Sequence, residues 1–410
     1  SKTLNTARRR YLQLNSALEC LKTATGLNFG QIALARLETW ITAPETEGVE
    51  WGHVKSCLFV RLTTKDGLYG WGEAFVLPYR EKAVAEIIHA LGRSASKLKS
   101  ISPWAFRDLA KHAAACHQSL EFSAASSALE MALWDILGKL LNAPLCDLLG
   151  GNYNRAIPIY GNIWSTTQWD VASLETRATD LVAQGYRAIK IHPMLNHTAQ
   201  DAANCVNQVR AAIGGDIALL VDLDSQNNAD AAIQIAQAIE PAHPYWFEEP
   251  IDGSDIRALA QIRKDQTLRV VTGEKNCGLA HFRAVLAAGA ADILNPDIAA
   301  VGGILDLLDI AELADQQGVQ ISPHCWNSMT VAAAAMLHVC ASIPNAELAE
   351  IYPEYIPYGE KFALQAVHLE GGYAHLSYKP GIGVDLNVSA LHDLCEHHQS
   401  TCLGLAEATC

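Results

Sequence analysis

The sequence predicts an α/β chain: a (β/α)7β TIM-like barrel with an N-terminal α+β capping domain that the C-terminal segment completes. Three observations carry that prediction. First, Asp222, Glu248 and Glu274 stand 26 residues apart, each at or just past the end of a short apolar run, IALLVD, YWFE and LRVVTGE. A strand, a loop, a helix and a second loop consume about that many residues in a βα barrel of about 250 residues, so equivalent strand ends recur on one rim. Second, the series extends both ways. Lys190 and His192 end YRAIKIH, while Asp297, His324 and Glu350 follow apolar runs at steps of 23, 27 and 26. Third, near residue 156 the texture changes from strands followed by helices to strands alternating with helices. A lone acid after an apolar run is ordinarily the N-cap of the next helix. Capping does not explain a whole series in phase.

Residues 1–30 read as an N-terminal extension. They carry Arg8, Arg9 and Arg10, no acid before Glu19 and no secretory apolar core. Such an opening suits an organellar transit segment or a plain extension. The plain extension is the simpler reading, and a cytoplasmic protein is expected. The capping domain spans 31–155. QIALARLETWI and SCLFVRLTT read as strands, and KDG at 65–67 is a hairpin signal into LYGWGEAF. Helical periodicity follows over 82–91, 103–115 and 123–141, with Leu129, Leu133, Ile136, Leu137 and Leu140 on one apolar stripe of the last.

The barrel spans 156–361. IPIYGNI is its first strand, and 171–185 is a helix that Gly185 stops. Runs ending at His192, Asp222, Glu248, Gly273, Asn295, Pro323 and Ala349 complete eight strands, parallel and joined by right-handed crossovers. Over 362–410 the alternation ends. Residues 364–387 read as short strands and turns, expected to return to the capping domain.

Half of the 410 residues are hydrophobic, enough for a large core, and stretches such as TVAAAAML fall short of a membrane span. A net charge of −14 opposes nucleic acid and anionic membranes as partners. It leaves room for a small anionic substrate, because a bound divalent cation and local lysines dominate the field inside a pocket. The 11 cysteines form no CxxC pair, and Cys57, Cys146, Cys205, Cys277 and Cys340 sit in ordinary segments. That distribution suits a reducing compartment. Cys395, His397, His398 and Cys402 have metal-ligand chemistry, but a solvated C-terminal segment is the simpler reading.

Converging Asp222, Glu248 and Glu274 would need a cation to be tolerated. With no His or Cys in the set, the choice falls on Mg²⁺, with Mn²⁺ as the alternative. Open octahedral positions would take a substrate carboxylate, and the charge stabilises the dianion left when the α-carbon loses its proton. Lys190 and His192, two apart on one strand, point the same way. His324 on the seventh strand has Asp297 on the sixth to orient it. Bases on opposite walls would act on both faces of one carbon, or one would remove a proton while the other assists a leaving hydroxyl.

On these residues the chain resembles the enolase superfamily, in its mandelate racemase subgroup. VDLD (221–224), FEEP (247–250) and TGE (272–274) are similar to that family's third-, fourth- and fifth-strand motifs. NPDIAAVGGI (295–304) with SPH (322–324) resembles its Asp–His dyad, and 128–151 and 378–385 resemble its connecting and C-terminal signatures. The resemblance implies Mg²⁺ on Asp222, Glu248 and Glu274, and Asp297–His324 as the catalytic pair. It implies that Glu350 hydrogen-bonds the substrate carboxylate or its enediolate. Cap loops at 42–54 and 74–80 would select substrate, with Trp51, His53, Tyr79 and Arg80 as candidate contacts there, and Asp224 is a further candidate beside the third-strand ligand. Small-molecule carboxylates as substrates and a homo-oligomeric assembly are further implications.

Two departures from the family pattern matter. Lys190-Ile191-His192 stands where the subgroup often has Lys-x-Lys, so His192 takes the proton-abstracting place with Lys190 as electrostatic helper. Asp224 replaces a common Asn, which argues against racemisation of mandelate itself. Asp297 stands where the muconate-lactonizing branch usually carries Lys. The expected activity is dehydration of a sugar acid to a 2-keto-3-deoxy acid. The alternatives are a sugar-acid lactone cycloisomerase, a racemase or epimerase, and, more remotely, a catalytically silent binding protein.

Overall fold

The structure is a computed structural model that describes residues 32–44, 51, 54–98, 101–151, 155–164, 171–193, 198–225, 228–364 and 366–404. Its first layer is an antiparallel meander of β1 (Leu34–Thr42), β2 (Cys57–Thr64) and β3 (Tyr69–Ala74). The KDG hairpin closes where Gly67 N–H donates to Thr64 O at 3.0 Å. Three helices follow, α1 (Glu81–Ala95), α2 (Pro103–Ala114) and α3 (Leu120–Leu140), and a short α4 (Leu145–Leu148) leads to the barrel. Ser102 and Ser119 start α2 and α3 by accepting the N–H of Ala105 and Phe122, the N-cap geometry expected of serine. The buried helix α3 lies directly on β3, because Gly70 and Gly72 present no side chain to it. A Cβ at Gly72 would stand 1.9 Å from Ala128 O, and one at Gly70 2.2 Å from Ala132 O.

The barrel strands are β4 (Ala156–Ile163), β5 (Ala188–Ile191), β6 (Ala218–Asp222), β7 (Trp246–Glu248), β8 (Val270–Thr272), β9 (Ile293–Leu294), β10 (Gln320–Ile321) and β11 (Ala349–Ile351). Neighbours from β4 to β10 pair in parallel in chain order, and β11 pairs back with β4. Ile321 bonds on both sides of Ala346, through Asn345 O at 2.8 Å and Glu347 N at 2.9 Å, which ties β10 to the approach to β11. Seven helices fill the crossovers: α5 (Val171–Ala183), α6 (Ala199–Ile213), α7 (Ala229–Ile239), α8 (Ile256–Asp265), α9 (Leu279–Ala287), α10 (Ile304–Asp315) and α11 (Val331–Ser342). Their apolar faces and the outward strand residues form the main core. Inside the barrel, Tyr160, Ala188, Leu220, Trp246, Val271 and Ile293 pack as a separate cluster, as the layered interior of such barrels requires.

The C-terminal segment divides its allegiance, which differs from the expected return to the cap alone. β12 (His368–Glu370) and β13 (Tyr373–His375) form a hairpin, and β13 pairs antiparallel with residues 156–158 of β4. That end of β4 lies outside its pairing with β5 and β11, so its backbone groups take the hairpin instead. From Ile382 onward the chain does join the cap. Ile382 N–H donates to Asp135 at 2.9 Å, and Tyr69 Oη and Trp71 Nε1 donate to Asp385 at 2.9 and 2.8 Å.

After the helix α12 (Val388–Leu394), the segment CEHHQSTC forms β14 (Cys395–Cys402), paired with β1 as the edge of the cap sheet. The expected solvated segment is therefore a strand. Its polar residues suit an edge, where one face stays wet. Eight described cysteines are free, so no disulfide scaffold runs through the described residues, and Cys402 is disulfide-bonded. Among the described residues no helix is long and apolar enough to cross a membrane.

Candidate active site

Strand register does the first work of assembly. It sets Asn162 beside Lys190 and Asp222 beside Glu248 at the C-terminal ends of β4 to β7. One carboxylate oxygen each from Asp222, Glu248 and Glu274 lies within 4.8 Å of the other two. Trp246 Nε1 and Asn295 Nδ2 hold the two Glu248 oxygens at 3.0 and 2.9 Å. Burial and the nearby Asp224 push Asp222 up to about 6. Burial, followed by its carboxylate neighbours, pushes Glu248 well above the usual range, even against the pull of Lys190. The triad therefore resists its own negative charge, and a divalent cation would relieve it. Hard oxygen donors at this spacing fit Mg²⁺ or Mn²⁺, and the set contains no soft donor.

Lys190 is buried among the same acids, with Nζ 2.8 Å from Glu248, 2.8 Å from Glu350 and 3.4 Å from Asp222. Burial opposes its charge, but Glu248 and Glu350 outweigh that and hold it firmly protonated. His192 is likewise buried, with Nδ1 3.1 Å from Asp224 and Nε2 2.8 Å from Asn162 Oδ1. Here too burial lowers the pKa, and Asp224 and Asp222 more than restore it.

On the opposite wall, His324 Nδ1 meets Asp297 at 2.5 Å. Its Nε2 faces Glu274 at 3.4 Å and Glu350 at 3.5 Å. Burial disfavours this imidazolium, yet Glu350, Glu274 and the Asp297 bond raise it to about 10. The sequence-derived catalytic and metal residues thus occupy one connected cluster.

Glu350 lies between Lys190 and His324. It is fully buried and accepts from Tyr160 Oη at 2.7 Å, Asn162 Nδ2 at 3.1 Å, Lys190 Nζ at 2.8 Å and Cys325 N at 2.9 Å. Both oxygens are engaged, and Lys190 and His324 hold the carboxyl below the ordinary range against the cost of burial, so Glu350 ties Lys190 to the segment after His324. Asp224 is the partner of His192, and its N–H donates to Asp222 at 2.8 Å.

Three of the four cap candidates are described. Trp51 is buried against Tyr355, with ring centroids 4.4 Å apart, and also faces Tyr358. Tyr79 is wholly exposed, and Arg80 pairs with Glu121 at 3.2 Å. His53 lies outside the described residues.

Sequence reasoning missed several supporting groups. Tyr160 and Asn162 belong to IPIYGNI, and the i, i+2 step to a rim position in register with Lys190 was a usable signal. Glu249 is buried and accepts from Ser225, Thr272 and Gly273, tying the third- and fifth-strand loops together. Adjacent to the ligand Glu248, it offered no separate pattern.

Comparison with known proteins agrees with this geometry. A family model described as Enolase C-terminal domain-like matches residues 173–390. A second, described as Mandelate racemase / muconate lactonizing enzyme, N-terminal domain, matches residues 33–150. A D-gluconate dehydratase of Thermoproteus tenax is 30% identical, with 82% of this chain and 69% of that protein covered. A D-galactarolactone cycloisomerase of Agrobacterium fabrum is 28% identical over 82% of this chain and 90% of its own. Among solved structures, an enolase from environmental genome shotgun sequencing of the Sargasso Sea superposes with a TM-score of 0.87 at 39% identity, covering 90% of this chain and 98% of that one. The chain belongs to the enolase superfamily, in its mandelate racemase subgroup, and is an enzyme of the lyase or isomerase kind.

Proposed function

We propose that this enzyme removes the proton α to the carboxylate of an aldonic or aldaric acid and expels the neighbouring hydroxyl as water. The enol so formed tautomerises to a 2-keto-3-deoxy acid. One observation carries the reading: two carboxylate-oriented imidazoles, His192 and His324, reach the same acid triad from different walls. His192 Nδ1 lies 3.7 Å from Asp222, and His324 Nε2 lies 3.4 Å from Glu274. A β-elimination needs a base for the α-proton and an acid for the departing hydroxyl, and two such groups meet that need. The dehydratases of gluconate and galactonate among the relatives support the substrate class.

Asp222, Glu248 and Glu274 are the residues that would hold Mg²⁺. When bound, the ion supplies charge that grips the substrate carboxylate and offsets the negative charge built up there as the proton leaves. Asp297 fixes the His324 ring through Nδ1, leaving Nε2 to exchange a proton with the substrate. His192 Nδ1, next to Asp224, is its counterpart, and Lys190 keeps a positive charge beside His192 and the triad. The 10²–10⁴-fold contribution usual for a positioned acid or base, about 3–5 kcal/mol each, is what these imidazoles are asked to supply.

The cycloisomerase relative favours a second reading, in which the same proton is lost and a lactone ring oxygen leaves in place of the hydroxyl. Mg²⁺-loaded protein incubated in D₂O with aldonic acids, aldaric acids and their lactones separates the two. Keto-acid formation from open acids supports dehydration, and consumption of lactones alone supports the second reading. An absence of both turnover and α-deuterium across the panel would sink the proposal.

A further inference from the structure

Lys55, just before β2 in the cap, is a buried cation that the reaction above does not use. It is 2% exposed, and its Nζ donates to Trp326 O at 2.5 Å. The same ammonium lies 4.3 Å from the centroid of the Trp326 ring and 5.1 Å from that of Tyr355. Trp326 Nε1 in turn donates to Tyr355 Oη at 2.7 Å, so the indole is held by face, edge and backbone. Burying an ammonium on a neutral carbonyl is costly, and burial pulls this pKa below the ordinary lysine value despite Cys57, Glu73, Cys325 and Asp297 nearby. A residue serving only to fill space would be apolar here.

Trp326 is two residues beyond His324, and the segment from Cys325 to Ala332 is hung from both domains. On the barrel side, Cys325 N–H donates to Glu350 at 2.9 Å. From the cap, besides Lys55, Glu73 accepts from Ser328 N at 2.8 Å and Ala332 N at 3.0 Å, and Ala74 O accepts from Asn327 Nδ2. Phe75 packs on His324 and on Trp326, with centroids 6.4 and 5.9 Å away, and its N–H donates to Ala299 O in the loop after Asp297. Both halves of the Asp297–His324 pair are therefore fastened to the cap.

We infer that Lys55 is a positioning residue for the reaction: gripping the Trp326 carbonyl and indole, it sets the segment that aims the His324 imidazole at the substrate. This rests on the elimination proposed above. Its removal should let Nε2 drift relative to the α-carbon or the leaving group, and a misplacement of about 1 Å costs about 10²-fold in rate. Because His324 and His192 serve different steps, misaiming one changes the ratio of steps, whereas a lower fraction of folded enzyme does not.

The test uses full-length, Mg²⁺-loaded Lys55→Met, which keeps most of the stem and removes the charge. In D₂O, α-deuterium incorporation into recovered substrate and water elimination are measured together. The expected result is a kcat lowered by about 10–100-fold with KM changed by less than about threefold, and an exchange-to-elimination ratio shifted by about fivefold or more. Should Lys55→Met fail to fold, Lys55→Leu, which likewise has neither charge nor donor, is measured for the same ratio. A wild-type ratio in whichever variant folds, with both rates falling in proportion or unchanged, overturns the role of Lys55 while leaving the elimination standing. Wild-type protein that neither exchanges nor eliminates sinks both.

Discussion

At the residue scale, the site is a problem of charge. Asp222, Glu248 and Glu350 surround Lys190, and neighbouring carboxylates raise both imidazoles above the ordinary histidine value against the cost of burial. The roles should separate on substitution. His324→Asn should remove about 10²–10⁴-fold of kcat while calorimetric Mg²⁺ binding persists, because His324 is outside the triad. Glu248→Gln should abolish Mg²⁺ binding first and activity with it. Asp297→Asn probes the orienting bond at 2.5 Å. It should lower kcat with little change in KM, since the group shapes the imidazole without touching substrate. A retained Mg²⁺ affinity in Glu248→Gln would refute the triad. Unchanged kcat in His324→Asn would remove that histidine from the chemistry.

At the scale of elements, the barrel was legible because its rim chemistry is periodic. Acids at 222, 248 and 274, with Lys190, His192 and His324, mark strand ends that the structure places on β5, β6, β7 and the segments after β5, β8 and β10. What was not legible had no period. β14 is six polar residues between two cysteines, with no apolar alternation, and is extended along the open edge of β1, and the β12–β13 hairpin pairs a stretch of β4 left bare by its neighbours. Lys55, Glu73 and Glu249 escaped for the same reason: in sequence, a single charge beside a strand looks like a solvated one, and burial appears only on folding.

The close seat of α3 on β3 was also invisible, although the GWG motif contains it. Gly72→Ala would drive a methyl group into the Ala128 carbonyl. Overpacking of that kind typically costs about 1–3 kcal/mol. Chemical denaturation should show the loss, and full stability in Gly72→Ala would mean that α3 shifts freely.

At the scale of the whole molecule, the cap, the barrel and the C-terminal segment meet at His338, on α11. Its Nδ1 accepts from Cys146 N at 3.1 Å and its Nε2 donates to Ile382 O at 3.1 Å. That pattern requires the neutral ring: a proton on Nδ1 would face a donor, and burial, the larger cause, holds the pKa down to about 4. In the unfolded chain a histidine titrates near 6.5. Between those values the unfolded state takes up a proton that the native state refuses, so native stability falls as pH drops from about 6.5 toward 4 and is intact above that window. The displacement is worth roughly 3 kcal/mol at its full extent.

Denaturation midpoints at pH 7 and pH 5 should therefore differ, and His338→Gln, which cannot take up that proton, should flatten this part of the slope. The acid triad works in the same direction, because lost metal affinity at low pH also weakens the fold. Saturating Mg²⁺ at about 100 times its Kd should add about 2.7 kcal/mol to the native state at neutral pH. Running the His338→Gln comparison with and without chelator keeps the two contributions apart. If the pH slope of the chelated protein is identical in wild type and variant, the three-way junction does not depend on a neutral His338.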